Sequence, residues 1–106
     1  MIIERYIGTH IAEGDCTHAG LIKARLAEEL NFSTRQLERI IKEACGMTYL
    51  ELFNKHKLRF AERLLGEPGW KVKDVAHRLG YSDESNFSRA FTNYFGISPK
   101  HIKKRQ

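Results

Sequence analysis

The sequence predicts an all-α fold of about seven helices. Three observations predict it. Apolar residues recur at helical spacing along nearly the whole chain. No alternating apolar/polar run is bounded by hairpin turns. Glycine, proline and short polar residues interrupt the helical pattern as caps and stops. With 106 residues, 42% of them apolar, the chain suffices for one compact domain or two small helical units sharing a core.

Ile2, Ile3, Tyr6, Ile7, His10 and Ile11 mark the first helix, and "EGDCTHAG" breaks it. A second helix covers about Leu21 to Leu30. "NFST" supplies a turn and an N-cap, Ser33 or Thr34. The third helix turns Leu37, Ile40, Ile41, Ala44 and Cys45 inward, and Gly46 closes it. Thr48 caps a fourth, longer helix to about Leu65. It carries Leu50, Phe53, Leu58, Ala61, Leu64 and Leu65, and at ~1.5 Å per residue it is roughly 25 Å long. "GEPGW" ends it. A fifth short helix spans about Val72 to Leu79. The sixth carries an apolar stripe of Phe87, Ala90, Phe91, Tyr94 and Phe95. "ISPKHIKKRQ" adds a last short helix and a basic tail.

Lys+Arg exceed Asp+Glu by 18 − 13, a net charge of +5, and the pI is near 9.4. Such a balance suits a polyanionic partner. No apolar run approaches the ~20 residues that span a membrane. Charges inside "MIIERYIGTH" exclude a secretory signal. Cys16 falls in a loop and Cys45 reads as a small buried hydrophobe. A reducing cytosol is the simplest compartment.

The chain repeats itself. Leu26, Ala27, Leu30, Asn31, Phe32 and Ser33 match Val75, Ala76, Leu79, Gly80, Tyr81 and Ser82 at an offset of 49. After one inserted residue the offset becomes 50. Leu37, Arg39, Ile41, Gly46, Met47 and Thr48 then match Phe87, Arg89, Phe91, Gly96, Ile97 and Ser98. Each copy is a short helix, a tight turn, a longer helix and a glycine stop. Asn31 and Gly80 share the turn position, and both residue types tolerate the left-handed backbone of a sharp corner.

A short helix, a turn with Gly or Asn and a second helix make a helix-turn-helix. Ala27 and Ala76 are small because the second helix crosses close above them. In such a unit the second helix enters the DNA major groove, where each base pair shows its own donor/acceptor pattern. A reading face needs Arg, Asn, Gln, Ser or Thr. The third helix offers Thr34, Arg35, Gln36, Glu38, Arg39 and Lys42, and the sixth offers Glu84, Ser85, Asn86, Arg89 and Asn93. Ser33 and Ser82 read as the caps of these helices, where free backbone N–H groups can also hold phosphate.

These residues resemble the DNA-binding domain of the AraC/XylS family of bacterial transcription regulators. The resemblance rests on Val75-Ala76, Gly80-Tyr81-Ser82, Phe87-Ser88-Arg89, Phe91, Phe95-Gly96 and Ser98-Pro99, and on "LAEELNFSTRQLERIIKEACGMTYLELFNKHKLRFAERLL". It covers about Leu21 to Lys104. It implies two helix-turn-helix subdomains, about 1–47 and 70–106, joined by one long linker helix at about 48–65. It also implies two recognition helices in successive major-groove segments. Carried over by position, Arg35, Glu38 and Arg39 should read bases in the first unit, and Glu84, Ser85, Asn86 and Arg89 in the second. Glu84 stands where glutamine is common, Lys71 where a capping Ser or Thr is common, and Ile102-Lys103 where Tyr-Arg is frequent. Family members commonly add an effector-binding or dimerisation domain, so the chain reads as a short stand-alone member or an excised domain.

Other signals are weak. His10, His18, His56, His77 and His101 form no HExxH pattern, and Cys16-Thr17-His18 is a single short pair, so no metal or cofactor is expected. No nucleophile elbow or glycine-rich phosphate loop is present, and no enzyme is expected. Trp70 reads as an apolar plug between the subdomains. Lys100, Lys103, Lys104 and Arg105 read as a solvated tail or as phosphate contacts. The expected partner is double-stranded DNA, with RNA polymerase as a candidate second partner, no membrane, and a monomer sufficient for DNA binding. The alternative is a helical protein-interaction module without DNA binding.

Overall fold

The structure is a computed structural model that describes residues 2–14 and 18–104. Among these residues there are seven α-helices and no strand: α1 Ile2–Ala12, α2 Ala19–Glu29, α3 Thr34–Cys45, α4 Tyr49–Leu65, α5 Val72–Arg78, α6 Glu84–Phe95 and α7 Pro99–Lys104. None of the described helices is long and apolar enough to cross a membrane. The chain divides into two compact units, Met1–His56 and Lys57–Gln106, and the division falls inside α4.

In the first unit α1 packs on α2, and α2 on α3. The core holds Ile3, Ile7, Ile11, Ile22, Leu26, Ala27, Leu37, Ile41, Tyr49, Leu52 and Phe53. Each large side chain removed from water here contributes roughly 1.5–3 kcal/mol. The Tyr49 hydroxyl donates to the Ala19 carbonyl at 2.9 Å, which fixes the start of α4 to the start of α2. Thr48 caps α4 as expected. Its hydroxyl accepts from the Glu51 N–H at 3.1 Å, and the Glu51 carboxylate accepts from the Thr48 N–H at 3.4 Å.

In the second unit α5, α6 and α7 pack on one another. Leu58, Ala61, Leu64, Leu65, Val72, Val75, Ala76, Leu79, Phe87 and Phe91 are buried. Phe87 and Phe91 lie 5.7 Å apart between ring centroids, and Tyr81 and Phe87 5.4 Å, tilted in both cases. Lys71 gives α5 no side-chain cap, as expected. Asp74 holds that start instead, its carboxylate accepting from the Lys71 N–H at 3.3 Å.

Several expectations fail locally. α2 begins at Ala19, and α5 ends at Arg78 with Leu79 as its C-cap. Leu50 is 58% exposed rather than inward. At 100° per residue it stands well off the face set by Tyr49, Leu52 and Phe53. Ile2 is also exposed. On α3 only Leu37 and Ile41 are buried, while Ile40 and Cys45 are half-buried and Ala44 is exposed. The second unit repeats this pattern. Ala90 and Phe95 are half-buried and Tyr94 is exposed. Ala44 and Tyr94 occupy the same place in the repeat, in the last turn of each helix. Trp70 is half-buried. Lys103 is no solvated tail: its ammonium donates to the carbonyls of Glu67, at 2.8 Å, and Leu65, at 3.4 Å. It thereby satisfies carbonyls at and just past the end of α4. Cys16 and Arg105 lie outside the described residues.

Candidate nucleic-acid interface

Each unit contains the same corner. The Phe32 N–H donates to the Ala27 carbonyl at 2.9 Å, and the Tyr81 N–H to the Ala76 carbonyl at 3.0 Å. Asn31 has φ 58° and Gly80 has φ 82°, both left-handed as the repeat requires. Ala27 and Ala76 are both buried beneath the crossing helix. The second helix of each corner ends alike. The Gly46 N–H donates to the Lys42 carbonyl at 2.9 Å with φ 71°, and the Gly96 N–H to the Thr92 carbonyl at 2.8 Å with φ 79°.

The starts of α3 and α6 differ. Ser33 caps α3 in a reciprocal box. Its hydroxyl accepts from the Gln36 N–H at 3.1 Å, and the Gln36 side-chain carbonyl accepts from the Ser33 N–H at 2.8 Å. Gln36 is thus occupied in holding the helix start. Thr34 is the first helical residue, not the cap.

Ser82 is not the cap of α6. Asp83 is, its carboxylate accepting from the Asn86 N–H at 2.7 Å. The inserted residue of the repeat therefore sits before the cap, and Asp83 corresponds to Ser33. Ser82 accepts instead from the Asn86 side-chain amide at 2.6 Å. An aspartate at this helix start satisfies the exposed N–H groups and the positive end of the dipole together. Phosphate held there would face a carboxylate, which corrects the expectation of a serine-capped phosphate site on α6.

The outward faces are as follows. On α3, Arg35, Arg39 and Lys42 are exposed, and the Lys42 ammonium lies 3.5 Å from the Gly46 carbonyl. Arg35 and Arg39 make no hydrogen bond or ion pair among the described residues. Glu38 is paired across the corner, its carboxylate 2.5 Å from the Lys23 ammonium of α2. Lys23, Arg35, Glu38, Arg39 and Lys42 line one concave flank of about 590 Å³, beside Thr48 and Tyr49 at the start of α4. That flank carries four cations and one acid. On α6, Ser85, Asn86, Arg89 and Asn93 are exposed and Glu84 is half-buried. Arg89 has no partner among the described residues. Lys23 carries no local signal in the sequence, because its helix reads as support; only the fold brings it to Glu38, 15 residues away.

Known proteins share this fold. The family description "Helix-turn-helix domain" matches residues 26–105. RhaS of Escherichia coli strain SE11, an HTH-type transcriptional activator, is 35% identical over 79 residues, which are 74% of this chain and 28% of RhaS. The chain thus spans about a third or less of the curated relatives it matches. The C-terminal domain of AraT, a response regulator from Geobacillus stearothermophilus, superposes with a TM-score of 0.74 at 30% identity, over 97% of this chain and 81% of that one. A DNA-binding transcriptional dual regulator from Escherichia coli K-12 superposes with a TM-score of 0.78 at 27% identity, over 96% of this chain and 89% of that one. These relatives do not favour the alternative of a protein-interaction module without DNA binding, and they are regulators rather than enzymes. The chain belongs to the helix-turn-helix family of AraC-type, sequence-specific DNA-binding domains.

Proposed function

We propose that the chain reads its DNA site through the outward faces of α3 and α6, each entering one of two successive major-groove segments. One observation carries this reading. Arg39 and Arg89 occupy the same place in two corners with matching backbone hydrogen bonds, and both are exposed and unpartnered among the described residues. An arginine so presented can make a bidentate contact with guanine. Arg35 on α3, and Ser85, Asn86 and Asn93 on α6, supply further donors and acceptors. Lys42 suits a phosphate contact. Ser33 and Gln36 support the reading helix by fixing its start. Ser82 does the same for Asn86.

The two faces differ, with Arg35 on α3 where α6 has Ser85, and Lys42 where α6 has Thr92. The preferred site is therefore asymmetric, and a monomer suffices to bind it. We take the protein to act in the cytoplasm and to activate transcription through RNA polymerase. RhaS, named an activator, supports that sense of regulation.

Selection of bound sequences from random duplexes tests the reading directly, and one asymmetric sequence should be enriched. Anisotropy titrations of that sequence at several salt concentrations should give a log–log slope near −5, the value for about six neutralised phosphates. No enrichment, no salt slope, or a palindrome bound only by dimers would refute it.

A further inference from the structure

Glu38 is the one acid among the five charged residues that line the flank, beside the cations Lys23, Arg35, Arg39 and Lys42. Bringing a carboxylate towards DNA phosphates is unfavourable unless its charge is offset and its oxygens meet a donor. The structure offsets the charge with a held lysine. The Lys23 ammonium donates to Glu38 Oε1 at 2.5 Å, with Glu38 50% exposed and Lys23 26%. Lys23 is itself placed, its ammonium 5.7 Å from the centroid of the Tyr49 ring. Tyr49 is buried, and its hydroxyl is tied to Ala19. All four residues lie in one unit.

The second unit is an internal comparison. The repeat offsets put Val72 at the place of Lys23 and Ser88 at the place of Glu38. That unit makes the same corner hydrogen bonds without the pair. The corner therefore does not need it, and a half-exposed pair adds little to stability.

We infer that Lys23 is a positioning residue that holds Glu38 as an acceptor for the exocyclic amino group of a cytosine. Among the described residues only Oε1 of Glu38 is engaged, so Oε2 is left to accept from the base. Of the base-pair edges in the major groove, cytosine N4 is a pure donor that suits a carboxylate. The inference rests on the proposed reading of DNA by α3.

The test starts from the sequence enriched by the wild-type chain from random duplexes. If none is enriched, the DNA reading itself fails and the inference falls with it. With a site in hand, the measurement is the affinity ratio between that site and each of its single-base variants. Glu38→Gln should relax preference at one C·G pair. Lys23→Met should lower discrimination at that same pair by about fivefold or more. It should leave preferences at the other pairs unchanged and add nothing in the Glu38→Gln background. Lys23→Arg, which keeps the charge, should retain the preference. Circular dichroism should show unchanged helicity throughout. Two results would overturn the inference while the wild type still selects its site. One is Glu38→Gln leaving every base preference intact. The other is Lys23→Met weakening all duplexes alike and lowering the salt slope by about one, the signature of a phosphate contact.

Discussion

Replacing Arg39 by alanine separates base reading from phosphate binding. The guanidinium is exposed and unpartnered among the described residues, so its loss removes no contact that holds the fold. Alanine and arginine are both good helix formers, so stability should change by less than about 0.5 kcal/mol. Any large effect on binding is then an effect on DNA. A bidentate arginine–guanine contact supplies about 1–3 kcal/mol of discrimination, or roughly 5- to 150-fold. Arg39→Ala should therefore relax preference at one base pair by that factor and leave the others intact. Arg89→Ala should act the same way but less strongly. The start of α6 carries two acids, Asp83 and Glu84, and Thr92 stands where α3 has Lys42. The assay is binding of each variant to the selected site, to its single-base variants and to random DNA, with helicity checked by circular dichroism. If Arg39→Ala loses specific and random binding equally and lowers the salt slope by about one, Arg39 is a phosphate clamp. If Arg89→Ala costs more specificity than Arg39→Ala, the ranking of the two helices is wrong.

Four further predictions concern the scaffold. Gly80→Ala puts a Cβ at φ 82° and should destabilise by about 1–2 kcal/mol in thermal melts. Asn31→Gly, at φ 58°, should stay within about 0.5 kcal/mol of wild type; a large loss there would mean that the Asn31 side chain, not its backbone, makes the corner. Asp83→Ala should cost about 1 kcal/mol and Ser82→Ala less than about half of that, whereas the reverse order would return the cap of α6 to Ser82. Leu52→Ala, at a fully buried position, should cost about 2–5 kcal/mol in denaturant unfolding, and Leu50→Ala less than about 0.5 kcal/mol; similar costs would mean that Leu50 is covered.

Much of the fold is legible in the sequence. The helices, the doubled corner, the left-handed turns at Asn31 and Gly80 and the glycine stops all follow from local rules. Each depends on residues within a few positions of one another, where backbone sterics and cap chemistry act directly. The candidate reading helices were legible for the same reason, because outward faces follow from periodicity. What the sequence left open depends on competition between nearby groups or on distant ones. Ser82 and Asp83 are both able caps, and only the path of the chain gives the Asn86 N–H to the aspartate. Leu50 is as apolar as Leu52, but the buried face of α4 is chosen by what packs against it, so one is exposed and the other buried. Lys103 looks like a tail charge until the fold brings it to the end of α4, 36 residues away from Glu67. The Lys23–Glu38 pair likewise joins two helices across a corner. Such pairings hinge on where the packed helices bring side chains into reach, a property of the assembled unit that no local pattern carries.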